Sequence, residues 1–219
     1  MTTMYPSSSP DASPRGGGVV DRAIFDAVSR RYGQFASWAV WDRRHAGRAT
    51  GDWVSDLRVL DADRHPAVLE MLHTRAVLIA LNSGVREEDE GPRAPLSMFH
   101  HPVGRDFMLA EAVGDTPFWG AYVTDFFKGV PTKDGTGLAE HLAANPGKVA
   151  QDVAALREEL AVLAAVRPLL VCLGSQVEPF VRAHFGHDHD VVRVTHYSAA
   201  IAKTEYRQQF VDLVPRLPE

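Results

Sequence analysis

Hydrophobic positions in this chain alternate between short continuous runs and longer stretches with an apolar residue every three or four places. Four runs are β-prone and compact: AVLIALNSG (Ala76 to Gly84), WGAYVTDFFK (Trp119 to Lys128), RPLLVCLG (Arg167 to Gly174) and VVRVTHYS (Val191 to Ser198). Runs of this length, bounded by turn residues, fit strands covered on both faces. Between them the period is helical. Val20, Ile24 and Val28, with Phe25 beside them, predict a helix over about 20–32, and Val68, Leu69 and Leu72 a short one after His65-Pro66.

Asn145-Pro146 reads as a helix start, with Asn as cap and Pro in the first turn. Val149, Val153, Leu156, Leu160 and Leu163 then give one apolar face through about Val166. Val177, Phe180 and Val181 follow a Gly174-Ser175 turn, and 203–213 has a helical pattern. The expected order is αβαβαβαβα without internal repeat, which implies βαβ units and a mostly parallel sheet. The segment 33–64 carries Trp38, Trp41 and Trp53 without a clear period and is read as a peripheral layer packed on the sheet; Arg86 to Pro95 is read as an exposed loop.

The chain has 219 residues, 45% of them hydrophobic, enough for one sizeable core over 19–219. The Ser-, Pro- and Gly-rich stretch 1–18 is expected to be a disordered tail without the apolar centre of a secretory signal. A net charge of -5 gives no global attraction to nucleic acid, although it leaves room for a local basic strip. The single cysteine, Cys172, lies inside an apolar run and reads as a small buried hydrophobe. One cysteine cannot form a disulfide framework or hold an iron-sulfur cluster. No apolar stretch approaches the roughly 20 residues that cross a bilayer, so a cytoplasmic monomer with no membrane association is expected.

In parallel sheets ligands bind beyond the carboxyl ends of the strands. Asn82, Asp125 and His196 all stand at such ends, and their positions nominate one site.

The same segments carry a resemblance. ALNSG resembles the G-x-N-P-G motif after the first strand in the mismatch-specific branch of the uracil-DNA glycosylase superfamily, and HYS resembles its H-P-S motif. GAYVTDFFK is similar to the central strand ending in Y-x-T-N-x-x-K, and PLLVCLGSQVEPFV to the strand-Leu-Gly-helix unit before H-P-S. The matching region runs from about Arg75 to Phe210, and MFHHPVGRDF extends the likeness to glycosylase-like bacterial proteins of undefined activity. The resemblance implies a three-layer αβα sandwich with a central four-stranded, mostly parallel sheet. It also implies a DNA glycosylase that flips a damaged base out of DNA and hydrolyses its N-glycosidic bond, with no metal or other cofactor.

By the same resemblance Asn82 orients the water and His196 donates a hydrogen bond to the departing base. Asp125, Phe99 and Tyr197 form the base pocket, and Ser83, Ser198 and Lys203, with Arg207 one turn on, hold phosphates. Three departures bear on substrate. Asp125 stands where several branches have Asn, so an ionised carboxylate offers acceptors only; Ser83 and Tyr197 replace prolines. Each residue also has a plainer reading: an Asx turn for Asn82, a helix cap or a Lys128 partner for Asp125, core for Phe99, a solvated helix face for Lys203 and Arg207. The group His184, His187, Asp188, His189 and Asp190 fits no defined metal spacing and reads as a solvated turn. The alternatives to a glycosylase are a catalytically silent relative that binds nucleic acid or a nucleotide, and a hydrolase of small metabolites on the same frame. A basic strip beside the strand ends separates the first two readings from the third.

Overall fold

The structure is a computed structural model, and it describes residues 18–43, 53–54, 57–84, 94–100, 104–130, 132 and 135–219. The expected tail over 1–17 and most of the loop from Arg86 to Pro95 lie outside the described residues. The chain enters the fold at Gly18, whose carbonyl accepts from the Thr74 amide at 2.9 Å.

Helix α1 (Arg22–Tyr32) starts where the Asp21 carboxylate accepts from the Ile24 amide. Strand β1 (Ala36–Trp38) follows, then the small pair β2 (Asp42–Arg43) and β3 (Trp53–Val54). A 3-10 turn over Pro66–Glu70 leads into β4 (His73–Asn82). The remaining elements are α2 (Asp106–Val113), β5 (Ala121–Phe127), α3 (Gly135–Ala144), α4 (Lys148–Val162), β6 (Leu169–Leu173), α5 (Glu178–Phe185), β7 (Val191–Val194) and α6 (Lys203–Leu213).

The main sheet has five strands in the order β1-β5-β4-β6-β7. The last four are mutually parallel, and β1 joins β5 antiparallel. This corrects the expectation of four strands: part of the Trp-rich segment is itself an edge strand, with Ala36, Ser37 and Trp38 all buried. A strand of three residues covered on both sides shows no alternation to read. The start of α4 is also corrected. Asn145 does not cap it; its amide donates to the His141 carbonyl at 2.8 Å and so closes α3, while α4 begins at Lys148.

Strand alternation sorts the core into two layers. Val77, Ile79, Tyr122, Leu170 and Cys172 face α1, α3, α4 and α5, whereas Ala76, Leu78, Ala80, Val123, Leu173 and Val194 face α2 and α6. Helices therefore cover both faces of the sheet. Cys172 is fully buried, and desolvation pushes its thiol up to about 12, which makes it inert packing.

One glycine knits the end of β1 to the starts of β4 and β5. Gly120 has φ +87°, donates to the Ala39 carbonyl and accepts from His73, and an added Cβ would lie 1.9 Å from the Met71 carbonyl oxygen. Gly120→Ala combines a disfavoured backbone conformation with a main-chain clash. It is expected to lower stability by at least about 2 kcal/mol in urea unfolding, by the mechanism of strain at a special φ/ψ.

Candidate functional site

Parallel strands β5-β4-β6-β7 run in sequence order second, first, third, fourth, so the chain leaves β4 in one direction and returns to β6 on its other side. That reversal creates a crevice at the carboxyl ends of β4 and β6. Register shows what lines it. Ala80 pairs with Asp125, Ile79 with Cys172, and Leu173 with Val194. Continuing the register past the strand ends brings Asn82 level with Ser175 and His196, two strand spacings or about 10 Å across the crevice. Asp125 shares the Ala80 face, one alternation back from Asn82.

Asn82 ends β4 partly buried. Its Nδ2 donates to the Val130 carbonyl at 2.8 Å, to Thr132 Oγ1 at 2.9 Å and to its neighbour Ser83's carbonyl at 3.0 Å. Two carbonyls in this shell fix the amide orientation, because a flipped group would set oxygen against oxygen. Oδ1 is thereby turned away from the loop as an acceptor. The contact with Val130 also braces the turn after β5. Ser83 contributes its main chain, whose carbonyl also accepts from the Thr132 amide at 3.2 Å.

His196 lies just beyond β7. Its Nδ1 accepts from the Ser198 amide at 3.2 Å and meets Ser198 Oγ at 2.7 Å. The amide contact requires Nδ1 to be an acceptor, which places the proton of the neutral ring on Nε2 and leaves the Ser198 hydroxyl to donate to the same nitrogen. Burial holds the imidazole below its ordinary pKa and so keeps it neutral at pH 7. The Tyr197 ring stacks on it, centroids 4.3 Å apart.

Two further residues border this ring: Gly174, the glycine of the strand-Leu-Gly-helix unit, and Gln209, which no motif marked. Gly174, at φ +102°, lies under it: a Cβ there would meet His196 Cβ at 3.2 Å. From α6, the Gln209 carboxamide accepts from the Thr195 amide at 2.7 Å and donates to Thr195 Oγ1 at 3.1 Å, fixing the backbone next to His196. The Gly after an apolar run was the sequence signal for the first; nothing marked the second.

Asp125 is buried within β5, 2% exposed. Its amide donates to the Phe35 carbonyl, and its own carbonyl accepts from Lys128 Nζ at 2.7 Å. The Lys128 ammonium therefore grips the Asp125 main chain, while its charge pairs with Glu159 of α4 at 2.7 Å.

Other nominated residues are placed less directly. Phe99 is buried in the layer beneath α2 and α6, and next to it His100, whose Nε2 bonds the Trp38 carbonyl, is pushed down to about 4 by burial. Lys203 opens α6 with its ammonium 5.7 Å from the Phe107 ring centre. Arg207 donates through Nη1 to the Glu111 and Gly114 carbonyls and clamps α6 to the end of α2, so it is not simply part of a solvated face. In the His- and Asp-rich turn, Asp188 lies 3.8 Å from Arg157 and Asp190 pairs with Arg216. Among the described residues no group of three His, Cys, Asp or Glu side chains is placed to hold a metal ion.

No family model and no curated protein matches this chain.

A cavity of about 620 Å³ lined by Asp42, Arg58, His65 and Met71 lies elsewhere, before the start of β4. Ten residues of strand separate it from Asn82, and it has none of the groups gathered at the crevice. No helix among the described residues is long and apolar enough to cross a membrane.

The His196 ring is expected to titrate with a midpoint below the ordinary 6.5, read from its Cε1 proton by NMR. Because the folded state then binds fewer protons than the unfolded one, His196 makes stability rise with pH through that window and fall as pH drops below about 6.5. Gly174→Ala is expected to displace the ring and move this midpoint toward 6.5 as the ring gains solvent.

Proposed function

We propose that this chain is a DNA glycosylase of the uracil-DNA glycosylase type, hydrolysing the bond between deoxyribose and a damaged or modified base flipped out of the helix. The observation that carries the reading is the pair at the carboxyl ends of the parallel strands: Asn82, whose Nδ2 is held by the Val130 carbonyl so that Oδ1 is left as an acceptor, and His196, whose Nδ1 accepts from the Ser198 amide so that the neutral ring carries its proton on Nε2. A dissociative hydrolysis needs these two groups. As the C1′–N bond breaks, its electron pair goes to the base and a cationic sugar remains. Nε2–H of His196 donates a hydrogen bond to the developing anion, and Asn82 Oδ1 holds a water that adds to C1′, its proton passing to solvent while the departed base anion takes one up in return. A carboxamide is too weak a base to drive direct attack, which fits a cation already formed.

Asp125 sets the base preference. In its ionised form the carboxylate accepts hydrogen bonds and donates none, which favours a base presenting adjacent donors, such as guanine or a protonated base, over uracil with its single imide N–H; a protonated Asp125 would imitate the Asn of other branches. Phe99 and Tyr197 supply aromatic surface to the pocket, and stacking on such a face is worth about 1–3 kcal/mol per base. Ser198, exposed at the rim, with Ser83 and Lys203, would hold the flanking phosphates.

Single-turnover cleavage of labelled oligonucleotides carrying uracil, hypoxanthine, xanthine or alkylated bases tests the proposal. Abasic product is expected, with the rate reduced roughly 10²–10³-fold in Asn82→Ala and in His196→Ala, the cost of losing one preorganised donor or positioner. Asp125→Asn is expected to shift preference toward uracil. Retained DNA binding with no product on any substrate would establish instead the silent binding relative, for which the replacement at Asp125 speaks. Absence of both binding and product would remove nucleic acid from consideration.

A further inference from the structure

The strongest unexplained feature is a charged cluster between α4 and the end of β5. Glu159 is fully buried and Lys128 9% exposed. Glu159 Oε1 accepts from the Tyr122 hydroxyl at 2.6 Å and from Thr124 Oγ1 at 2.8 Å, while Oε2 lies 2.7 Å from Lys128 Nζ. About two turns back along α4, Asp152 accepts from the Lys128 amide at 3.4 Å, and Lys148 donates both to Asp152 and to the Lys128 carbonyl, each at 2.8 Å.

What these charges hold is main chain. At the end of β5 the Asp125 carbonyl, the Lys128 amide and the Lys128 carbonyl are each taken by a charged side chain instead of a neighbouring strand. Two residues further, past Gly129 at φ +68°, the Val130 carbonyl receives the Asn82 amide at 2.8 Å. A rigid path therefore runs from Glu159 through Lys128 to the acceptor that orients Asn82, and it passes Asp125 on the way.

We propose that Lys128, paired with Glu159, is a positioning residue for the crevice: by gripping the end of β5 it fixes the Val130 carbonyl and so aims Asn82 Oδ1. The placement of Asn82 follows from the geometry; only the task assigned to its oxygen rests on the glycosylase reading. The charge is needed because a neutral side chain at 128 would leave the Asp125 carbonyl unpaired and Glu159 without a counterion.

Hydrogen exchange of side-chain amides, followed by NMR on the full chain, separates this from a general structural role. Lys128→Met with Glu159→Gln removes both charges together and leaves an acceptor for Tyr122 and Thr124. In the folded double variant the Asn82 carboxamide protons are expected to exchange at least tenfold faster, while those of Gln209, held by Thr195 across the sheet, keep their native rate. Equal acceleration of both amides, or none at Asn82, overturns the proposal. Lys148→Gln, at a residue 17% exposed in its side chain, is the milder variant should the double one not fold; it loosens the Lys128 carbonyl, and a rise at Asn82 alone of threefold or more is expected, with no rise counting against it. Since the readout needs no substrate, its failure is distinct from a failure to cleave DNA. If cleavage occurs, the double variant lowers kcat and leaves KM within twofold.

Discussion

A strand covered on both faces has no solvent to satisfy its polar side chains, and β5 is such a strand along its whole length. All seven of its residues are buried, Tyr122, Thr124 and Asp125 among them. Each hydroxyl and carboxylate must find a partner inside the protein. The helix laid over this face answers with a carboxylate of its own, and that carboxylate in turn requires Lys128. Desolvating such a pair costs several kcal/mol, and removing one partner leaves the other charge uncompensated, at about 3–5 kcal/mol. The position of α4 along β5 is therefore fixed by polar requirements as well as by the packing of Leu156 and Leu160. Burial beside Glu159 also drives the Tyr122 phenol well above its ordinary pKa, so it acts there as a donor only.

The order of strands then decides where chemistry gathers. With β4 at the centre, its carboxyl end is flanked by β5 on one side and β6 on the other, and the connection leaving β4 runs through α2 over one face while that leaving β6 runs through α5 over the other. The gap that results is bordered by Asn82 from β4 and by Gly174 from β6, and a side chain at 174 would press on His196. The helices are tied to the same edge. α6 reaches it through Gln209 and is held to α2 by Arg207, so the layer over Ala80 and Val194 is tied to the backbone beside His196.

Strands β6 and β7 and helix α6 were legible to within a residue or two, since an apolar run between turn residues has few other uses. β1 was not, because Ala36, Ser37 and Trp38 are too few to show a period and are covered on both sides. Asn145-Pro146 misled about α4 because the same amide that can cap a following helix can close the preceding one. In the site, Asn82 and His196 stand out as polar residues ending apolar runs. Glu159 does not: it follows Arg157 and Glu158 in what reads as a charged helix face, and burial alone distinguishes it. Gln209 is hidden for the same reason. Sequence periodicity reports which face of a helix is apolar, and a buried charge on that face reads as noise.

The antiparallel edge strand has a consequence for the order of assembly. β1 is made early, yet the strand it pairs with in the main sheet is β5, more than eighty residues later. At synthesis rates of roughly 5–20 residues per second, that interval is on the order of 4–17 seconds, during which Trp38 and Trp41 have no sheet to cover them. The parallel strands cannot wait on β1, and β1 cannot pair before they exist. The nascent chain therefore holds an aromatic, strand-prone segment in reserve, at the stage when such segments are most exposed to chaperones and to one another.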